Sequence, residues 1–165
     1  MKAVLQRVTR AEVRVAGEVV GRIERGLVVL LGVMRGDDEA VAVRFAGRVA
    51  HWRCFADEAG RMNRALLEVG GAALVVSQVT LAADGRKGRR PSLDAAAEPE
   101  RARALYARFV DALEALGVPC ATGVFQAEMA VELVNDGPVT FALEERSGPP
   151  AGPSPGPPEP PQVLA

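Results

Sequence analysis

The sequence holds a single histidine, His51. A metal site built from several His or Cys ligands is therefore not expected, and a Ser-His-Asp triad would have to run through this one imidazole. His51 stands beside Trp52 at the end of an expected helix, which fits a satisfied structural role. The two cysteines, Cys54 and Cys120, form no CxxC motif and lie in apolar surroundings. They read as reduced, buried thiols. No apolar run approaches about 18 residues, so no membrane-spanning helix is expected. The N-terminus, Met1-Lys2-Ala3-Val4-Leu5-Gln6-Arg7, turns polar too early for a signal peptide, and the expected location is cytoplasmic. The net charge of −1 is too close to balance to advertise a nucleic-acid surface by itself.

What is present is apolar periodicity. A chain of 165 residues, 48% of them hydrophobic, is one domain by length and can bury about two-thirds of its unfolded surface. Met1 to Val8 and Ala11 to Ala16 read as strands, the second alternating Val13 and Val15 against Glu12 and Arg14. Val19 to Glu24 returns as a hairpin partner. Leu27 to Val33 is continuously apolar and suits a central strand buried on both faces. Asp37 or Asp38 can cap a helix whose stripe is Ala42, Phe45, Val49 and Trp52. Cys54-Phe55 starts a short strand, and Leu66-Leu67 and Leu74 to Val79 are assigned to one sheet. A second helix opens at Pro99 and carries Ala102, Leu105, Phe109, Ala112, Leu113 and Leu116 on its apolar face; Gly117 and Pro119 end it. Pro119 to Val124, Ala127 to Val134 and Val139 to Glu144 are the closing strands. Two helices cannot cover so many strands on both faces. The expected class is α/β: three layers, α/β/β, with mixed and antiparallel sheets. The domain is expected to span residues 1–146. Residues 147–165 are rich in proline and poor in charge, a tail expected to be disordered.

Three stretches carry chemistry. Leu74 to Leu81 ends an apolar strand on Ser77, Gln78 and Thr80, three hydrogen-bonding side chains at the place where sites tend to be built. Alone, Ser-Gln-x-Thr is a weak signal. Asn135-Asp136-Gly137-Pro138-Val139-Thr140 reads by itself as a tight hairpin between two strands, with Gly137 free to take unusual backbone angles. Ala82 to Ala97 is a long loop with a basic cluster, Arg86, Lys87, Arg89 and Arg90, which suits either a solvated face or the phosphates of a nucleic acid.

Together these motifs resemble the D-aminoacyl-tRNA deacylases, whose paired signatures are Ser-Gln-Phe-Thr-Leu and Asn-x-Gly-Pro-Val-Thr. Here they stand as Ser77-Gln78-Val79-Thr80-Leu81 and Asn135 to Thr140. Gln6 to Ala11, Gly60 to Asn63 and Arg86 to Ser92 match as well, and the likeness runs in order from Met1 to about Glu145. It implies the three-layer fold, a homodimer, no cofactor, and hydrolysis of the ester in D-aminoacyl-tRNA, with tRNA as partner and no membrane or metal. It implies that Gly137–Pro138 is cis and enters a partner subunit's pocket, where its carbonyl takes the space of an L side chain. Glycyl-tRNA, with no side chain to exclude, is then expected to be cleaved too, including glycine mischarged on tRNA(Ala). Ser77, Gln78, Val79 and Thr80 would form the catalytic segment. Arg7 would hold the Gly137–Pro138 segment, with Asn135 and Thr140 beside it; Met129 would line the pocket; Arg86, Lys87, Arg89 and Arg90 would meet acceptor-stem phosphates.

Two mechanisms fit the residues. Thr80 attacks as a nucleophile, which needs a base; or backbone N–H groups near Val79 and Thr80 hold the carbonyl oxygen while the substrate's 2′-hydroxyl activates water. The second is preferred. Val79 departs from the family's usual Phe, and Gln126 stands where glycine or alanine is frequent, at the pocket rim. The competing readings are a non-catalytic nucleic-acid-binding dimer of the same fold and a structural module using its strand edges.

Overall fold

The structure, a computed structural model, describes residues 1–86 and 88–148. Lys87 and nearly all of the proline tail lie outside the described residues, and so do the expectations placed on them. The elements run β1 (Lys2–Val15), β2 (Glu18–Ile23), β3 (Gly26–Gly32), α1 (Glu39–Ala50), β4 (Arg53–Ala56), β5 (Met62–Ala65) and β6 (Ala72–Ser77). A 3-10 turn (Val79–Ala82) follows, then α2 (Pro99–Ala115), β7 (Cys120–Thr122) and β8 (Ala130–Glu144).

β1 organises the sheet. Its first half pairs antiparallel with β3, from Lys2↔Gly32 to Val8↔Gly26. Its second half pairs with β2, from Ala11↔Ile23 to Val15↔Glu18. The two strands expected over residues 1–8 and 11–16 are therefore one; Thr9 and Arg10, exposed and polar, mark the handover rather than a break. β3 and β6 run parallel, and β7 adds parallel to β6. Leu66-Leu67 is not part of this sheet. It follows the small β4–β5 ribbon, where Leu66 packs into the helix-side core.

Alternation along β3 and β6 splits their side chains between two cores. Leu27, Val29, Leu31 and Val75 face the helices, where Phe45 of α1 meets Phe109 of α2 edge to face, centroids 5.9 Å apart. Val28, Leu74 and Val76 face the other way, onto Val8, Val13 and Ile23. The distal arm of β1 with β2 folds over that second face so closely that a Cβ on Gly21 would lie 2.5 Å from the Thr122 carbonyl oxygen. Helices, sheet and folded-over arm make the three layers.

Asp38 caps α1 by accepting from the Val41 N–H at 2.8 Å. Its neighbour Asp37 is buried and accepts from the Met1 ammonium (2.7 Å) and the Met34 N–H (2.6 Å). Pro99 opens α2, and Gly117, at φ +91°, closes it. Leu116, expected on the apolar face, is 42% exposed because the helix ends one residue before it.

The hairpin expected around Gly137 does not form. Both arms of β8 pair with β1: Arg10↔Val134 and Val8↔Asn135 on one side, Gln6↔Thr140 to Lys2↔Glu144 on the other. Four residues of β8 lie between Asn135 and Thr140 while only Arg7 of β1 lies between Gln6 and Val8, so the surplus leaves the ladder as a protrusion. The long β1 supplies a partner for each arm, which removes any need for the arms to pair with each other.

Candidate active site

β6 ends at Ser77, and the chain tightens at once into the 3-10 turn. That turn is fixed by its backbone: Gln78 N–H donates to Leu31 O (2.8 Å), Leu81 N–H to Gln78 O (3.2 Å) and Ala83 N–H to Thr80 O (3.0 Å). The first N–H groups of such a turn have no partner within it, and among the described residues no acceptor is bonded to the Val79 or Thr80 N–H. Val79 is 53% exposed. Its side chain does not pack the turn in place, so the missing phenyl ring leaves the amide geometry to the main chain. Gln78 Nε2 donates to Thr80 Oγ1 at 2.5 Å, linking two of the expected site residues.

Beside the turn opens a cleft of about 260 Å³. Leu31 and Val33 form its floor; Ser77, Gln78 and Val79 one wall; Ala102 and Tyr106 of α2, with Phe125, Gln126 and Met129, the other. Met129 fits there because residue 123 is glycine: a Cβ would lie 2.5 Å from the Met129 sulfur. No carboxylate, imidazole or amine is among the described lining residues. Tyr106 is engaged elsewhere: its hydroxyl donates to Val75 O at 2.7 Å, and burial pushes its pKa up. His51 lies outside the cleft, its Nδ1 2.8 Å from Gly47 O at the end of α1.

Arg7, Asn135, Gly137, Pro138 and Thr140 gather at a second place. Arg7 is largely enclosed. Its Nη1 donates to Cys54 O (2.6 Å), and its Nε to Asp136 O (3.2 Å), with the Asp136 carboxylate 3.0 Å away. Asn135 Nδ2 donates across the neck of the protrusion to Arg7 O (2.8 Å) and Val139 O (3.1 Å). Gln6 Nε2 reaches Thr140 Oγ1 at 3.4 Å. Gly137–Pro138 is cis, and both residues are exposed. Gly137 has φ +133°, and a Cβ there would lie 2.5 Å from Val139 Cγ2 and 2.8 Å from Val139 N, so only glycine fits. Cys54, under Arg7, is buried, and its thiol is pushed up to about 11 by desolvation. No residue from 135 to 140 lines the cleft, so within one chain the two groups stay apart.

The basic loop is less free than its composition suggests. Asp84 and Ser92 bridge its ends, and the Arg86 guanidinium clasps Asp84 at 2.6 to 3.0 Å. That hydrogen bonding holds the Asp84 carboxyl down at about 2. Arg89 and Arg90 are exposed.

The profile of the family described as D-Tyr-tRNA(Tyr) deacylase matches residues 4–144. The chain belongs to this family. It is 60% identical over 144 residues to a D-aminoacyl-tRNA deacylase of Geobacter metallireducens, covering 87% of this chain and 95% of that one. A relative of the same name from Paracoccus denitrificans is 57% identical, with 87% and 97% covered. Among solved structures, the c-Myc DNA Unwinding Element Binding Protein superposes with a TM-score of 0.83 at 38% identity, covering 87% of this chain and 98% of that one. A probable eukaryotic D-amino acid tRNA deacylase, at 18% identity and a TM-score of 0.77, shares the fold. Membership makes the chain an ester hydrolase of the D-aminoacyl-tRNA deacylase class. Tyr106, Phe125 and Arg103, which stacks on Phe125, escape a reading by motif; the sole tyrosine, placed on the buried side of α2, was the available signal.

Proposed function

We propose that the cleft binds the aminoacylated 3′ end of tRNA and that the turn at Gln78 to Thr80 hydrolyses its D-aminoacyl ester, releasing D-amino acid and tRNA. The observation that carries this is a cleft whose described lining holds no carboxylate, imidazole or amine, ending on a turn whose leading N–H groups are unbonded among the described residues. Such a site suits an ester already activated by the neighbouring ribose hydroxyl. Positioning supplies ~7–11 kcal/mol in well-oriented cases, and one oxyanion donor about 3 more. The Val79 and Thr80 N–H groups receive the carbonyl oxygen, Gln78 and Ser77 hydrogen-bond the substrate, Met129 packs against it, and the substrate's 2′-hydroxyl helps activate water.

Chiral selection falls to the protrusion of a second copy. Its Gly137–Pro138 main chain enters the cleft and fills the volume that an L side chain needs, while Arg7, Asn135 and Thr140 keep it in shape. Arg89 and Arg90, with Lys87 and the Asp84-bound Arg86, face the acceptor stem. Glycine has nothing to exclude, so glycyl-tRNA is cleaved as well, tRNA(Ala) charged with glycine included.

Hydrolysis of D-Tyr-tRNA, L-Tyr-tRNA and glycyl-tRNA by the full chain tests this. The expected order is D-Tyr above glycyl above L-Tyr, with Thr80→Ala retaining activity within about tenfold, the loss expected for one hydrogen bond from a side chain that orients rather than attacks. Loss of several orders of magnitude in Thr80→Ala would assign the attack to its hydroxyl. Resistance of glycyl-tRNA would contradict exclusion. The c-Myc DNA Unwinding Element Binding Protein is named for binding DNA, which supports a second reading, a nucleic-acid-binding dimer without catalysis. Binding of D-Tyr-tRNA with no turnover would favour it.

A further inference from the structure

Arg103 occupies the exposed side of α2, with its guanidinium carbon 4.8 Å from the centroid of the Phe125 ring. Its Nη2 donates to Gln126 Oε1 at 3.0 Å. Phe125 and Gln126 both line the cleft, so this arginine is fastened to the cleft's rim from outside. Most of the other described arginines already have anionic or carbonyl partners. Arg101 donates twice to Asp37 O, Arg86 clasps Asp84, Arg14 and Arg22 share Glu12, and Arg44 and Arg48 reach Glu145. Among the described residues, Arg103 has no carboxylate within ion-pair distance. Stacking on an aromatic face orients a guanidinium while leaving its edge donors available, the arrangement suited to a phosphate. Gln126 holds φ +65°, a region few non-glycine residues enter, and still keeps its amide oxygen on Arg103.

The cleft is small, about 260 Å³. If it holds the chain's end, as proposed above, the rest of the polyanion leaves over the rim, whose side away from Ser77 and Gln78 is apolar at Pro99, Ala97, Ala102 and Phe125. We propose that Arg103, oriented by Phe125 and Gln126, receives a backbone phosphate of the nucleotide chain whose 3′ end occupies the cleft. It is a positioning residue for the nucleic-acid part of the substrate, and the inference rests on the reading of the cleft as the ester site.

The test compares two esters under steady-state conditions: D-Tyr-tRNA, and D-tyrosyl adenosine, which has no phosphodiester. Arg103→Glu is expected to raise KM for D-Tyr-tRNA about tenfold with kcat within about twofold, and to reduce the steepness of its salt dependence by about one ion. The adenosine ester is expected to be unaffected. Gln126→Ala should show the same pattern more weakly, and Arg108→Gln, on the same helix, should show none of it. Arg103→Gln keeps the question open to measurement should charge reversal unfold the helix. An unchanged KM for D-Tyr-tRNA overturns the proposal. So does an equal loss on both esters, which would mean local damage to the cleft. A parent chain that cleaves neither ester overturns the reading of the site itself, and a parent active on D-Tyr-tRNA with an indifferent Arg103 overturns only this inference.

Discussion

The cleft beside β6 and the protrusion on β8 treat hydrogen bonding in opposite ways. In the cleft, the leading N–H groups of the turn are unbonded among the described residues, and the side-chain bond from Gln78 to Thr80 is local and exposed. At the protrusion, side chains bond back onto the chain itself: Arg7 on Cys54 and Asp136, Asn135 on Arg7 and Val139. One region leaves backbone donors unbonded among the described residues; the other uses its side chains to hold its own backbone still. The segment braced in that way is left exposed at Gly137 and Pro138, and under the proposed function it acts on another surface. The cleft lacks any wall from residues 135–140. A second copy of the chain supplies both needs under the proposed function, with each copy giving a protrusion and receiving one, as an isologous pair requires.

Damaging the two regions in different chains tests whether they act across a subunit boundary. Gly137→Val forces a side chain against Val139 at a positive φ, and is expected to lower D-Tyr-tRNA hydrolysis by 10²-fold or more, since misplacement by about 1 Å costs that much. Gln78→Ala damages the cleft and leaves the protrusion intact. Refolded together from an equal mixture, half the dimers carry one chain of each kind, and one of their two sites combines a sound cleft with a sound protrusion. Recovery of about a quarter of the parent activity is expected. If the mixture stays as inactive as its components, the two regions work within one chain.

Arg7→Ala is the next largest. It leaves the carbonyls of Cys54 and Asp136 without their donor, which costs about 1–3 kcal/mol of stability. It also lets the protrusion drift, with an expected loss of ten- to a hundredfold in kcat/KM. Chemical denaturation and single-turnover rates measure the two separately. Arg7→Lys should restore stability better than rate, because an ammonium cannot span both carbonyls in the guanidinium's planar geometry.

Much of this was legible from residue order. The unbroken apolar run at Leu27 to Val33 could only be a strand covered on both sides. Asp38, Pro99 and Gly117 mark helix ends by local chemistry that does not depend on the rest of the chain. The two site segments were visible because their motifs are contiguous. What stayed hidden was decided at a distance. Whether the arms flanking Gly137 pair with each other or both with β1 depends on the length of β1, more than a hundred residues away. Tyr106 and Phe125 become cleft walls only once α2 lies across the ends of β3 and β6. The pairing of Arg103 with Gln126 spans two elements that no periodicity connects. Composition is incomplete in one place: a loop rich in arginine suits a solvated face or a phosphate contact, and it does not disclose that Arg86 is paired with Asp84 inside the loop.

That neutralisation gives the smallest expected effect. Arg86 is held to Asp84 by three hydrogen bonds between their side chains, and the Asp84 carboxyl lies near 2 as a result. The sign follows directly. A carboxyl depressed in the folded chain stays ionised at every pH well above 2, and the clasp is lost only as pH falls through that value. Over any range in which the enzyme is assayed, Arg86 therefore offers a phosphate a guanidinium already shared. Arg86 is exposed and Asp84 only half-buried, so the pair adds little to stability. Arg86→Gln is expected to change KM for D-Tyr-tRNA by less than about twofold and to leave its salt dependence unchanged, whereas Arg89→Gln and Arg90→Gln should each lower that dependence. Asp84→Asn provides the converse: releasing Arg86 should lower KM slightly at low salt and not at high salt, where screening removes the gain.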